Sequence, residues 1–266
     1  MKLRDFLFAI HVLHQQNIRM ATQINQGDMA EAKAWLQAAL RQPDAADQLH
    51  QAAQTPYITL ADASYPPRLK EIPSPPLVLF YRGNLQLLDQ LNLGVVGARL
   101  ATTYTKHSLE LIFPGLNTVI TSGLAAGADT MAHETALVHQ LPTIAVLGHG
   151  FNTVYPAHNR RLFDRIATDG LLLSEYPAAV LPAPFRFVAR NRIIAGLAHG
   201  VLVTEAKVKS GSLITANYAL QNNREIFALP NRLDQPMGAG TNQLIQAGAK
   251  MVLTAADITA ELNFYP

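Results

Sequence analysis

The chain has no cysteine and no excess of either charge: 21 Lys+Arg stand against 19 Asp+Glu in 266 residues. The missing cysteines exclude disulfides, thiolate chemistry and cysteine-ligated zinc, and they fit a reducing cytoplasm. The balanced charge excludes a polycation, so any affinity for nucleic acid has to come from local clustering. No apolar run approaches the ~20 residues of a membrane-spanning helix, so no membrane partner is expected. The opening "MKLRDFLFAIHVLHQQ" does not read as a signal peptide, because Arg4 and Asp5 interrupt it and no small-residue cleavage site follows. Familiar catalytic signatures are missing too. There is no Gly-x-x-x-x-Gly-Lys-[Ser/Thr] phosphate loop and no Gly-x-Ser-x-Gly elbow. Gly148-His149-Gly150 begins a dinucleotide fingerprint, but Thr153 stands where its third glycine belongs. His133 and His139 are six residues apart instead of four, so their rings diverge around a helix and no zinc helix is expected. No metal and no cofactor are expected.

What is present is apolar periodicity. Hydrophobic residues make up 49% of the chain, enough for a sizeable core. Residues 3–53 read as helices: Leu3, Phe6, Leu7, Ile10 and Leu13 recur at helical spacing, Asp28 is a candidate N-cap and Pro43 a stop. The stretch Tyr65 to Gly83 holds five prolines, which predicts an extended run over a surface before a short strand at Leu77–Tyr81. A domain boundary is placed near residue 55, giving a helical N-terminal domain over 1–54 and an α/β domain over 55–266.

From about residue 91 the apolar runs "LGVVGA", "TVIT", "TIAVLG", "LLLSEY", "GVLVTEA", "EIFALP" and "KMVL" alternate with helical stretches near 104–115, 127–139, 159–168, 189–198, 212–222 and 241–247. Continuously apolar strands between helices predict a mostly parallel sheet covered on both faces. Ligands of such sheets sit outside the carboxyl ends of the strands. Those ends carry glycine and cations: Gly97 to Arg99, "SGLAAGAD" from Ser122, "GHGFNTVYPAHNRR" from Gly148 to Arg161, and "EAKVKSGS" through Lys207 and Lys209 to Ser212. Small residues there also make ordinary tight turns, and Ser210 or Ser212 would serve as a plain N-cap. Several such loops on one edge predict an anion-binding rim. Glu175 and Glu205 follow apolar strands and read as caps or ion-pair partners in preference to a general acid and base.

A second cluster lies in "FRFVARNRIIAGLAHG", Phe185 to Gly200. Between Asn159 and Arg192 there are six arginines against three acids, with Phe185 and Phe187 interleaved. Guanidinium beside aromatic rings suits a phosphodiester backbone and unstacked bases, and the same arginines also suit surface ion pairs.

These strings, in order "YPPRLKEIPSPPLVLFYRG", "VVGAR", "SGLAAGAD…AHETAL", "LGHGFNTVYPAHNRRL", "SEYP", "ARNRIIAGLA", "VTEAKVKSGSLITANYAL", "REIFALP" and "GTNQLIQAGA", closely resemble the DNA-processing protein A (DprA/Smf) family over about residues 65–249. The resemblance implies an extended Rossmann-like domain that binds single-stranded DNA. It also implies a homodimer that protects incoming strands and delivers them to the RecA recombinase during natural transformation, with no catalytic activity. The family's strand-binding pocket carries over onto Arg99, Ser122, Gly123, Lys209, Ser210 and Gly211, with Ser212 contributing its amide. Arg190, Asn191 and Arg192 are expected at the pocket rim or shaping it.

Some positions depart from the family pattern. Ala98, Val188, Asn223 and Asn231 replace the usual Ser, Pro, Gly and Gly. None removes an expected phosphate contact, and the two asparagines bear on turn geometry. The chain is also expected to lack the C-terminal winged-helix module that many members carry. Leu244, Ile245, Ile258, Leu262 and Phe264 are candidate dimer residues that read equally as core. The competing reading is a Rossmann-like enzyme that processes nucleoside monophosphates, whose "PGGxGTxxE" signature finds no counterpart in "PNRLDQPMGAGTN". A protein–protein scaffold is a third reading, compatible with the first.

Overall fold

The computed structural model describes residues 1–14 and 18–263. Four helices come first: α1 (Leu3–Leu13), α2 (Ile18–Asn25), α3 (Ala30–Ala39) and α4 (Ala45–Ala53). The N-cap of α3 is Met29 and not the expected Asp28, which stands one residue earlier with its carboxylate accepting from the Ala30 amide at 3.3 Å; Pro43 falls between α3 and α4. The rest of the chain alternates. After β1 (Tyr57–Thr59), α5 (Pro67–Lys70) and β2 (Val78–Gly83) come β3 (Asn92–Val96), α6 (Thr103–Ile112), β4 (Val119–Ser122) and α7 (Ala128–Val138). Then follow β5 (Thr143–Leu147), α8 (Arg160–Asp169), β6 (Leu171–Ser174), α9 (Pro184–Leu197) and β7 (Gly200–Val203). The series closes with α10 (Gly211–Gln221), β8 (Glu225–Ala228), α11 (Ala239–Gln246), β9 (Lys250–Met251) and α12 (Ala255–Leu262).

The strands form one nine-stranded sheet in the order β1-β2-β6-β5-β4-β3-β7-β8-β9. The seven from β3 to β9 are parallel, whereas β2 pairs antiparallel with both β6 and β1. The sheet is therefore mostly parallel, as the alternation predicts, and Rossmann-like, as the family resemblance implies, with an antiparallel pair of strands added at one edge. β3 to β7 are buried along their whole length, because helices cover both faces and leave no polar side to the sheet.

The structure departs from the expected extended path after Tyr65. Pro67 opens the short helix α5, because proline at the first helical position has its φ already set and needs no amide donor. Leu69 and Ile72 are buried in the core cluster that holds Ile193 and Ile194 of α9. Helix α9 itself begins five residues before the expected 189, again at a proline, Pro184.

The N-terminal helices and the sheet share one apolar cluster. Phe6, Leu7, Ile10 and Leu36 pack with Val78 and Phe80 of β2, Ala145 and Leu147 of β5, and Leu172 of β6. Each fully buried Leu, Ile or Phe contributes about 1.5–3 kcal/mol. A polar contact joins the same parts: His11 Nε2 lies 2.7 Å from the Glu175 carbonyl, directly after β6. Burial pushes the His11 imidazole down, so it stays neutral there and donates through that nitrogen. Asn223 has φ +53°, so it keeps the left-handed turn before β8 that glycine would otherwise supply.

Candidate nucleic-acid interface

The carboxyl ends of β3 and β7 open into a cleft of about 380 Å³, which also runs along α9 and the start of α10. Seven of the ten expected site residues line it: Arg99, Arg190, Asn191, Lys209, Ser210, Gly211 and Ser212. Lys207 joins them, as do Asp129, Phe187 and Met237.

The loop after β3 is fixed from several sides. Gly97 sits so close to β7 that a Cβ would lie 2.4 Å from Thr204 Oγ1 and 2.6 Å from Ala128 Cβ. The Glu205 carboxylate accepts from the Thr102 amide at 2.7 Å, from Thr102 Oγ1 at 3.0 Å and from Thr105 Oγ1 at 2.7 Å. Glu205 thus caps α6 and ties down the loop that carries Arg99. On the other side Gly127, at φ +79° and ψ −123°, lets the Ala98 and Arg99 carbonyls approach where a Cβ would meet them at 2.5 and 2.4 Å. The Arg99 guanidinium then lies over the Phe187 ring, 5.6 Å from its centre, and that ring stacks on Tyr155 at 5.3 Å. Gly148 makes the room, because a Cβ there would meet Phe187 Cδ1 at 2.8 Å.

Opposite stands the first turn of α10. Ser210 is its N-cap and accepts from the Ser212 amide at 3.4 Å, with Ser212 Oγ 2.8 Å from Ser210 Oγ. The cap and the cleft lining are therefore the same residues. The added Cβ of Gly211 would meet nothing within 4 Å, so backbone is open to the cleft at this point. The amides of a helix start carry positive partial charge, and Lys207 and Lys209 add full charges beside them.

Arg190 forms the floor of the cleft. It is only 4% exposed, and its Nη1 donates to the Gly123 carbonyl at 2.5 Å and also to that of Val146, which joins the ends of β4 and β5. Its Nε donates to Asn191 Oδ1 at 3.2 Å. Burial pushes this guanidinium down, Asp129 opposes the shift, and Arg99 adds to it. Asp129 accepts from the Gly123 and Ala125 amides at 3.1 and 3.3 Å, and burial pushes its carboxyl up even so.

Three expected site residues do not line the cleft. Ser122 is fully buried and its Oγ donates to the Val95 carbonyl at 2.6 Å. Gly123 lies behind the Arg190 guanidinium, where a Cβ would stand 2.1 Å from Nη1. Arg192 turns to the other side of α9 and pairs with buried Glu175. Arg160 and Arg161 sit on α8 away from the cleft, Arg160 with Asp164 at 3.7 Å. Asp129 and Met237 were missed as lining residues. Asp129 was legible only as the end of the string "SGLAAGAD", and Met237 arrives through a loop whose fold no pattern sets. His133 is buried, held near 3 by burial with the Arg190 charge adding, and its Nδ1 lies 2.7 Å from Thr143 Oγ1. No cluster of metal-binding side chains occurs among the described residues.

Fold and cleft define a Rossmann-like α/β protein with a cationic, amide-lined cleft at the carboxyl edge of its sheet. Residues 56–263 match the model of the DNA recombination-mediator protein A family, and the chain belongs to that family. The DNA processing protein DprA of Streptococcus pneumoniae is 46% identical over 211 residues, covering 79% of this chain and 75% of the relative. Protein Smf of Synechocystis is 45% identical over 226 residues, 82% of this chain and 56% of that longer relative. The crystal structure of the Streptococcus pneumoniae protein superposes with a TM-score of 0.89 at 39% identity, covering 98% of this chain and 99% of that one. The Helicobacter pylori DNA processing protein A, whose structure describes a single-stranded DNA binding mode, gives a TM-score of 0.70 at 32% identity over 80% of this chain and 98% of that one.

Proposed function

We propose that the chain is a non-catalytic single-stranded DNA-binding protein that seats phosphates in the cleft, protects incoming strands, and as a cytoplasmic homodimer hands them to the RecA recombinase in natural transformation. The observation that carries the binding role is the convergence of Arg99, Lys207, Lys209 and the first turn of α10 on one cleft. Cations and helix-start amides suit phosphate oxygens, which carry no sequence information, so little sequence preference is expected. The stacked Phe187 and Tyr155 rings beside them suit unpaired bases. The Helicobacter pylori relative is described as binding single-stranded DNA, which agrees with this reading.

The non-catalytic role is favoured by how the acids are held. Asp129 is engaged by two amides, Glu205 by two threonines, and Glu175 by Arg192. Glu175 and Glu205 do not line the cleft, and Asp129, which does, has its Oδ2 taken up by the two backbone amides. For the dimer, Leu244 and Ile245 of α11 are half-buried candidates, whereas Ile258 and Leu262 are core and Phe264 lies outside the described residues.

The test is fluorescence-anisotropy binding of a labelled single strand and its duplex to wild type and to an Arg99→Ala/Lys209→Ala variant of checked fold. Tight single-strand binding that collapses in the variant is expected. No binding at low salt overturns the proposal, and turnover of a nucleoside monophosphate would establish the enzyme reading instead.

A further inference from the structure

A second groove, of about 500 Å³, lies between α4 and the loops that follow β5 and β6. Gln48, Gln51 and Gln54 of the α4 end face Asn152 across it, with Arg186 at one side and the backbone of residues 177–180 as a wall. That wall is rigid. The Gly150 amide donates to the Val180 carbonyl at 2.8 Å and the Asn152 amide to the Ala178 carbonyl at 2.9 Å. A Cβ on Gly150 would stand 2.1 Å from the Pro177 carbonyl oxygen, so the two loops are in direct contact.

The lining has an unusual chemistry. Four carboxamides and one guanidinium supply its side-chain polarity, and no carboxylate lines it among the described residues. Gln48 is held by Asp44 at 2.6 Å and Gln54 by the His50 carbonyl at 3.4 Å, while the side chains of Gln51 and Asn152 hold no hydrogen bond among the described residues. A carboxamide offers donor and acceptor side by side, which is the pattern that reads base edges. In an unpaired strand those edges are free.

The groove lies across the first turn of α9 from the cleft, and the two linings share no residue. Pro184, Phe187 and Val188 line the cleft while Arg186, on the same turn of α9, lines the groove. A helix with its side chains is ~10–12 Å across, which a strand spaced at ~3.4 Å per nucleotide crosses in about three or four nucleotides. The exposed Phe185 ring stands on the ridge between them, with the Arg186 guanidinium 5.2 Å from its centre.

Resting on the reading of the cleft as a strand-binding site, we propose that this groove receives the unstacked bases of the same DNA strand after it crosses the first turn of α9, with Gln51 and Asn152 bonding their edges and Arg186 holding the phosphate between. The N-terminal helices thereby form one wall of the strand's path.

The test compares thymidine oligomers of about four and about twelve nucleotides, the range of a single-strand site, on wild type and on the Gln51→Ala/Asn152→Ala variant, which removes both exposed carboxamides without changing the charge. Wild type is expected to gain affinity with length beyond the statistical factor. The variant is expected to bind the short oligomer within about twofold of wild type and the long one about tenfold more weakly, the size of one lost base contact. A 4-thiothymidine placed beyond the cleft-bound segment is expected to cross-link within residues 48–54 or at Asn152. Equal loss for both lengths, no gain with length in wild type, or cross-links confined elsewhere would each overturn the groove while leaving the cleft intact. Failure of wild type to bind either oligomer overturns the cleft reading, and the groove with it.

Discussion

The guanidinium of Arg192 lies fork to fork on the carboxylate of Glu175, Nη1 to Oε2 at 2.9 Å and Nη2 to Oε1 at 2.6 Å, with both side chains almost wholly buried. Arg192 Nε also donates to the Ser74 carbonyl at 2.9 Å. Burial pushes the guanidinium down, and Glu175 more than offsets it, so Arg192 stays charged. Removing one partner strands the other charge in the core. Arg192→Ala is expected to destabilise the protein by about 3–5 kcal/mol, whereas single-strand affinity of the folded fraction stays near wild type. Urea unfolding followed by anisotropy at low denaturant checks both. A stable variant with weakened binding would return Arg192 to the strand.

Salt separates phosphate contacts from other contributions. Each phosphate neutralised on a single strand steepens the fall of log K with log salt by about 0.7. Arg99→Ala and Lys209→Ala are each expected to flatten that slope by roughly this amount. Titrations at several salt concentrations read it, and a weakened variant with an unchanged slope would mean the cation acts on protein and not on phosphate.

Gly211 offers a split between stability and binding. It begins α10 with φ in the ordinary range, and a methyl group there meets nothing within 4 Å. Gly211→Ala is therefore expected to raise stability by about 0.4–1 kcal/mol through the unfolded chain. The same methyl projects into the cleft where a phosphate would approach backbone, and affinity is expected to drop by about tenfold, the value of ~1.4 kcal/mol. Thermal melting and anisotropy on one sample decide it. A variant more stable and equally tight would show that the strand keeps away from this turn.

Three buried histidines and the half-buried His199 set an acid limit. Burial holds His133 near 3 and His199 near 4, with neighbouring arginines adding in both, and it lowers His11 and His149 as well. As pH falls below about 6.5 the unfolded chain takes up protons that the folded chain refuses, so stability present above that value is lost toward pH 4. Each group contributes at most about 1.4 kcal/mol per pH unit. Asp129 acts in the opposite sense, because its raised carboxyl binds a proton in the folded state first. Urea midpoints from pH 7 to 4.5 are expected to fall steadily, and His133→Asn, which keeps a partner for Thr143, to flatten the decline. An unchanged slope would show that His133 titrates normally.

The central strands β3 to β7 were legible because each lies in an apolar run closed by glycine or a polar turn, the pattern of a sheet covered on both faces. The cleft was legible for a related reason, since residues just past such strands converge on one edge. Less legible was which way each residue turns once there. Ser122 closes β4 and Arg99 follows β3, yet Ser122 Oγ bonds inward to Val95 and Arg99 lines the cleft. Arg190 and Arg192 are two residues apart on one helix, which puts them on roughly opposite sides, so one floors the cleft and the other enters the Glu175 pair. Composition weighs such arginines alike, and only packing separates them. The antiparallel pair of β1 with β2 escaped for lack of length, because a three-residue strand leaves no periodicity to detect.

Phe6, Leu7, Ile10 and Leu36 cover part of the sheet and are held to it by the same apolar cluster as Phe80 and Leu147. Their inner positions must therefore change in step with the sheet, whereas outer positions such as Gln42 and Glu31 are free to drift. A helical segment exchanged from a distant relative would arrive with the wrong inner face, and a chain cut near residue 55 would present that cluster to water. Loss of DNA binding in such a chimera or truncation would then record stickiness and misfolding before it recorded anything about the strand.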